Sequence, residues 1–108
     1  MDLLKLEDKT LSKLYEAFKD NDGFMVKEDD KYTSATKEIL GLQEINDINK
    51  LRDLRNNFVY TVSDILHASR IMANTDSSLG RIYNIWMNML QYVTTEIDIR
   101  ISELGGNV

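Results

Sequence analysis

Leu79-Gly80-Arg81-Ile82-Tyr83-Asn84-Ile85-Trp86-Met87-Asn88-Met89-Leu90-Gln91-Tyr92-Val93-Thr94-Thr95-Glu96-Ile97-Asp98-Ile99-Arg100-Ile101-Ser102-Glu103-Leu104 is the stretch that decides the fold. Leu79, Tyr83, Trp86, Leu90, Val93, Ile97, Arg100 and Leu104 alternate steps of four and three through it, the spacing of one helix face. Gly105-Gly106 supplies the stop. Just upstream, Asn74-Thr75-Asp76-Ser77-Ser78 offers N-cap side chains and no periodic apolar residue, which reads as a tight helix–helix turn. Before that turn, Leu51, Phe58, Ile65 and Met72 recur every seven residues, with Leu54, Val62, Leu66 and Ser69 between them. The spacing predicts a helix over 44–74, roughly 45 Å long at about 1.5 Å per residue. Two helices of matched length on a short loop fold back as an antiparallel hairpin over 44–74 and 77–104.

Working toward the N-terminus, a short helix is expected over 34–42, bent or broken at Gly41, and an acidic loop over 21–33. Leu4, Leu11, Leu14, Tyr15 and Phe18 predict an N-terminal helix over 2–20. Asn21-Asp22-Gly23 is expected to end it, with Gly23 in the left-handed conformation. The chain contains no proline, which fits a mostly helical fold. No composition shift, repeat or linker divides it, so residues 1–108 are expected to form one all-α domain, a helical bundle built on the hairpin.

Composition excludes several functions. With no cysteine and one histidine, disulfide frameworks and Cys/His zinc sites are out. Thirteen basic against 18 acidic residues give a net charge of −5, which argues against general nucleic-acid affinity. A nucleic-acid-binding dimer would have to gather Arg52, Arg55 and Arg70 into one surface by symmetry. The longest uncharged run, Ile82–Thr95, is 14 residues and carries Asn84, Asn88 and Gln91, too short and polar to span a bilayer. The opening residues show no signal-peptide pattern, and a cytoplasmic setting is expected.

Asp20-Asn21-Asp22-Gly23 has the look of a calcium loop, yet that frame puts Phe18 at the first ligand position and Asp29 where a glutamate is needed. No metal is expected there. His67 shares a helix side with Asp64 and Arg70, but no nucleophile, second base or phosphate-cradling glycine loop accompanies it. The reading is a non-enzymatic chain without cofactor, metal or small-molecule substrate. Arg55-Asn56-Asn57-Phe58-Val59-Tyr60 resembles the Arg-Asn-x-x-x-His motif of the HEPN ribonucleases, helical proteins that dimerise. The resemblance covers six residues and puts Tyr60 at the motif's histidine, so it implies a HEPN-like helical protein lacking the family's catalytic pair.

Both long helices carry a second apolar stripe: Tyr60, His67 and Ile71 on one, Ile85, Met89, Tyr92 and Ile99 on the other. Such helices must be covered on more than one face; the N-terminal helix can cover roughly 28 Å of the hairpin, and a second copy of the chain is the simplest cover for the rest. Trp86, Met87, Met89 and Tyr92, with Met72 opposite, form a Met- and aromatic-rich zone suited to core, dimer interface or a partner's groove. Asp20, Asp22, Glu28, Asp29 and Asp30 form an acidic cluster interrupted by Lys19, Lys27 and Lys31. Together these features predict a homodimeric interaction module that binds a larger protein as adaptor or inhibitor. Small, acidic, Asn- and Ile-rich, Cys-free chains of this kind are common among phage and mobile-element proteins, which places it in a bacterial or infected host cell.

Overall fold

The computed structural model describes residues 7–73 and 79–106. Its order is α1 (Asp8–Phe18), α2 (Asp30–Leu40), a 3-10 turn (Leu42–Glu44), α3 (Ile48–Ala73) and α4 (Gly80–Glu103), and no strand occurs among the described residues. The fold is all-α, and α3 and α4 pack closely as a hairpin. The expected residues 2–6 of the first helix, the turn Asn74–Ser78 and the first residues of the segment 77–104 lie outside the described residues.

Local chemistry explains where the helix ends depart from the spacing argument. α2 starts at Asp30, not Ser34, because the Asp29 carboxylate accepts from the Lys31 backbone N–H and caps the first turn. It stops at Gly41, whose left-handed backbone (φ 61°) lets its N–H reach the Glu38 and Lys37 carbonyls. The second long helix begins at Ile48, not at residue 44. Asp47 accepts from the Asn49 N–H at 2.9 Å, while residues 42–44 wind into the 3-10 turn. α1 ends at Phe18 without a left-handed residue; Gly23 has no positive φ, and the chain is turned instead by bonds to Asn21.

α4 is the central element. It packs along α3 and also against α1 and α2, which pack on each other. Leu51, Leu54, Phe58 and Val62 of α3 meet Val93, Ile97 and Ile101 of α4 in one core with Leu11, Leu14, Phe18, Tyr32 and Leu42. Because α1 and α2 cover it from a second direction, Ile85 and Met89 are fully buried. The second stripe of α4 is therefore covered at Ile85 and Met89 by this chain's own N-terminal helices, while Ile99 stays exposed. Phe18, Tyr32 and Tyr92 form an aromatic cluster with ring centroids 5.0–5.6 Å apart, joining α1, α2 and α4. Toward the hairpin tip burial declines: Ile65 and Leu66 are half-buried and Met72, although on the core side of α3, is exposed.

Arg100, which falls in the apolar spacing of α4, has a side chain nearly buried. Its Nε donates to the Leu42 and Ile45 carbonyls at 3.0 and 3.3 Å, and Nη2 to the Gln43 carbonyl and Asn46 Oδ1. One guanidinium thus gathers the main-chain oxygens of this turn, including that of Leu42, which also accepts from the Ile45 N–H.

Candidate functional site

The loop between α1 and α2, residues 19–29, is built around a buried amide. Asn21 is fully buried; its Nδ2 donates to the Lys27 carbonyl and its Oδ1 accepts from the Lys27 N–H, both at 2.9 Å. One side chain therefore closes the loop as a neighbouring strand would. Asn88 of α4 donates through Nδ2 to the Asn21 carbonyl at 2.8 Å and to the Gly23 carbonyl at 3.2 Å. Asn84 donates to the Asp22 carbonyl, and Arg81 pairs with the Asp22 carboxylate. The Tyr92 hydroxyl accepts from the Asp29 N–H and donates to the Asp29 carbonyl. Arg81, Asn84, Asn88 and Tyr92 stand three, four and four residues apart, so they form one polar stripe along α4 that the loop lies on.

A second set of bonds locks the loop to α2. Asp20 accepts from Lys31 Nζ at 2.6 Å and from the Tyr32 hydroxyl at 2.9 Å. These two donors hold the Asp20 carboxyl below its ordinary range, and the same contact raises Lys31 above its own. Burial, followed by the Asp20 bond, pushes the Tyr32 phenol up. Lys27 Nζ donates to the Asp20 carbonyl.

The loop so fixed presents two large apolar side chains to solvent: Phe24 is 91% and Met25 75% exposed. Glu28, Asp29 and Asp30 follow them on the surface, and only Asp20 and Asp22 of the acidic cluster are neutralised by paired cations. Among the described residues no group of three or more His, Cys, Asp or Glu could hold a metal ion.

No protein-family model, curated protein or solved structure matches the chain.

The remaining expected site residues do not converge. Tyr60 (75% exposed), His67 and Ile71 (55% exposed) lie on α3 opposite Leu51 and Phe58, facing away from the core. Ile99 is exposed on α4 beside Thr95, Asp98 and Ser102. Trp86 is half-buried, its ring 5.5 Å from that of Tyr15, while Tyr92 serves as a loop anchor. Arg55 is drawn onto Asp98 of α4 at 2.7 Å, whereas Arg52 and Arg70 sit on the exposed surface. Asp64, His67 and Arg70 are all exposed, and no hydrogen bond or ion pair joins them. Within the Arg-Asn-x-x-x-His-like segment, Arg55 faces α4 and Tyr60 faces solvent.

Sequence reasoning missed Asn21, Asn84 and Asn88 as the organising residues. The signal for the α4 pair was the polar step of four, Asn84 to Asn88, inside the uncharged run 82–95; nothing of the kind marked Asn21.

Proposed function

We propose that the chain is a non-enzymatic interaction module that inserts the Phe24–Met25 tip of its anchored loop into an apolar pocket of a larger protein. The observation that carries this reading is that a loop fastened at its base by buried Asn21 exposes its two largest apolar side chains. A floppy loop would lose ordering entropy on binding; one already fixed loses little. Aromatic and Met side chains are suited to filling a partner's pocket. Glu28, Asp29 and Asp30 beside them favour a partner whose pocket is rimmed by Lys or Arg. An adaptor or an inhibitor would act in this way. The test is affinity for a captured partner: Phe24→Ala with Met25→Ala weakens it about 30-fold or more, the scale of losing hot-spot side chains. Tyr60→Ala leaves it unchanged. Unchanged affinity in the loop variant would remove this reading.

A second reading rests on the outward face of α3. Tyr60 and Ile71, two large apolar side chains flanking His67 there, support self-association through this helix. Light scattering over a hundredfold concentration range tests it. A dimer reports twice the 12.5 kDa chain mass and reverts to monomer with Tyr60→Ser and Ile71→Ser. A monomer throughout would leave the loop as the interaction surface.

A further inference from the structure

A cleft of about 250 Å³ opens between the 24–30 loop, α2 and α4. Val26 and Tyr92 give it an apolar wall, Thr33 and Gln91 contribute polar side chains, and Glu28 and Glu96 bring carboxylates. Glu96 is the unusual member: it is 8% exposed, and no described residue hydrogen-bonds or ion-pairs with it. Most of the Glu96 side chain is buried, while its carboxylate oxygens keep access to the open cleft and no donor among the described residues meets them. Burial, opposed by the field of Lys37 and reinforced by Glu103, raises its carboxyl above the ordinary glutamate range.

Of the cations on the 24–30 loop, α2 and α4, all but Lys37 are engaged elsewhere. Lys31 is held by Asp20, Arg81 by Asp22, and Lys27 by the Asp20 carbonyl. Arg100, one turn beyond Glu96, is turned onto the carbonyls of residues 42–45. Lys37 of α2 reaches Glu96 through its field but makes no ion pair with it. We propose that this cleft is a binding site for the ammonium end of an aliphatic chain. The ammonium's three N–H donors would meet Glu96 and the polar side chains of Thr33 and Gln91, and its methylene stem would lie against Val26 and Tyr92. The volume is below the roughly 300–1,000 Å³ of sites for drug-sized ligands and suits a short alkyl chain. This assignment goes beyond the interaction reading and does not depend on what Phe24 and Met25 engage.

The experiment is an amide NMR titration of the full chain with n-butylammonium chloride. Matched titrations use n-butanol, tetramethylammonium chloride and Nα-acetyl-lysine methylamide. Saturable shifts confined to amides of residues 26–33 and 91–96 are expected with n-butylammonium, at millimolar affinity. Binding of n-butanol is at least tenfold weaker. Glu96→Gln, which removes the charge that burial opposes and leaves the fold intact, weakens n-butylammonium at least tenfold. Glu28→Gln at the exposed lip weakens it less. Tighter binding of the blocked lysine than of the free amine assigns the site to a side chain of a partner protein; the reverse order assigns it to a free amine. Non-saturating shifts, an equal response to n-butanol or tetramethylammonium, or unchanged affinity in Glu96→Gln would overturn the proposal.

Discussion

Asn88 in the middle of α4 holds the main-chain oxygen of Asn21 at 2.8 Å, across 67 residues of sequence, and that bond fixes the α1–α2 loop to the hairpin. Both residues are buried. Replacing Asn88 by Leu leaves the Asn21 and Gly23 carbonyls without their donor, at a cost of about 1–3 kcal/mol. Asn88→Asp fails similarly, because an ionised carboxylate has no N–H to give. Urea denaturation reads the stability loss, and faster amide exchange across residues 21–27 shows that the loop has been released.

Arg100 acts on the opposite end of α4. Its guanidinium meets two carbonyls through Nε and a carbonyl and an amide oxygen through Nη2. A lysine ammonium cannot span that planar set, so Arg100→Lys is expected to lose about 1.5–3 kcal/mol, the scale of hydrogen bonds to a charged group. Arg100→Ala loses more. Chemical denaturation of both variants ranks them.

Glu96 gives a pH dependence of defined sign. Its folded carboxyl lies above the ordinary range, mainly through burial, so the folded chain holds that proton more tightly than the unfolded chain. The favourable contribution is complete below the ordinary glutamate range and is lost as pH rises through the folded value. Lys37 from α2 opposes the shift, and Glu103 on α4 adds to it; Glu28 lies across the same cleft. Glu96→Gln is therefore expected to be more stable than the parent at pH 7. That advantage shrinks toward pH 4 and disappears below it, measured as the difference in urea midpoints.

Gly106 closes α4 at close quarters. Its N–H donates to the Ile101 carbonyl at 2.9 Å, and that of Gly105, at φ 88°, to the Ser102 carbonyl. A Cβ on Gly106 would stand 2.6 Å from Ile101 Cγ2 and 3.2 Å from Ile48 Cδ1. Gly106→Ala forces these core-edge side chains aside and is expected to lower stability by about 1–3 kcal/mol. Gly105→Ala loses about 1–2 kcal/mol through its left-handed backbone alone. Thermal melts separate the two.

The hairpin was legible because Leu51, Phe58, Val93 and Ile97 repeat at helical spacing and their burial follows from it. How far the chain's own N-terminal helices cover the second stripe of α4 was not legible, for a physical reason. Periodicity marks Ile85 and Met89 as apolar but cannot say which element covers them, and α1 and α2 do so. The start of α2 was missed because one capping bond, from the Lys31 N–H to Asp29, outweighed an uninformative charge cluster. Phe24 and Met25 were visible as apolar residues beside acids. Their exposure was not, because it depends on Asn21 and Asn88, 67 residues apart, folding the loop outward.

The most direct test replaces Phe24 with a photo-crosslinking benzoylphenylalanine in the full chain, with Tyr60 replaced in parallel, and irradiates the source cells. A single heterologous protein joined through position 24, absent from position 60 and competed away by unmodified chain but not by the Asn88→Leu variant, is the expected result. Crosslinking from position 60 alone, or from neither position while the chain remains folded, would contradict the role assigned to the Phe24–Met25 tip.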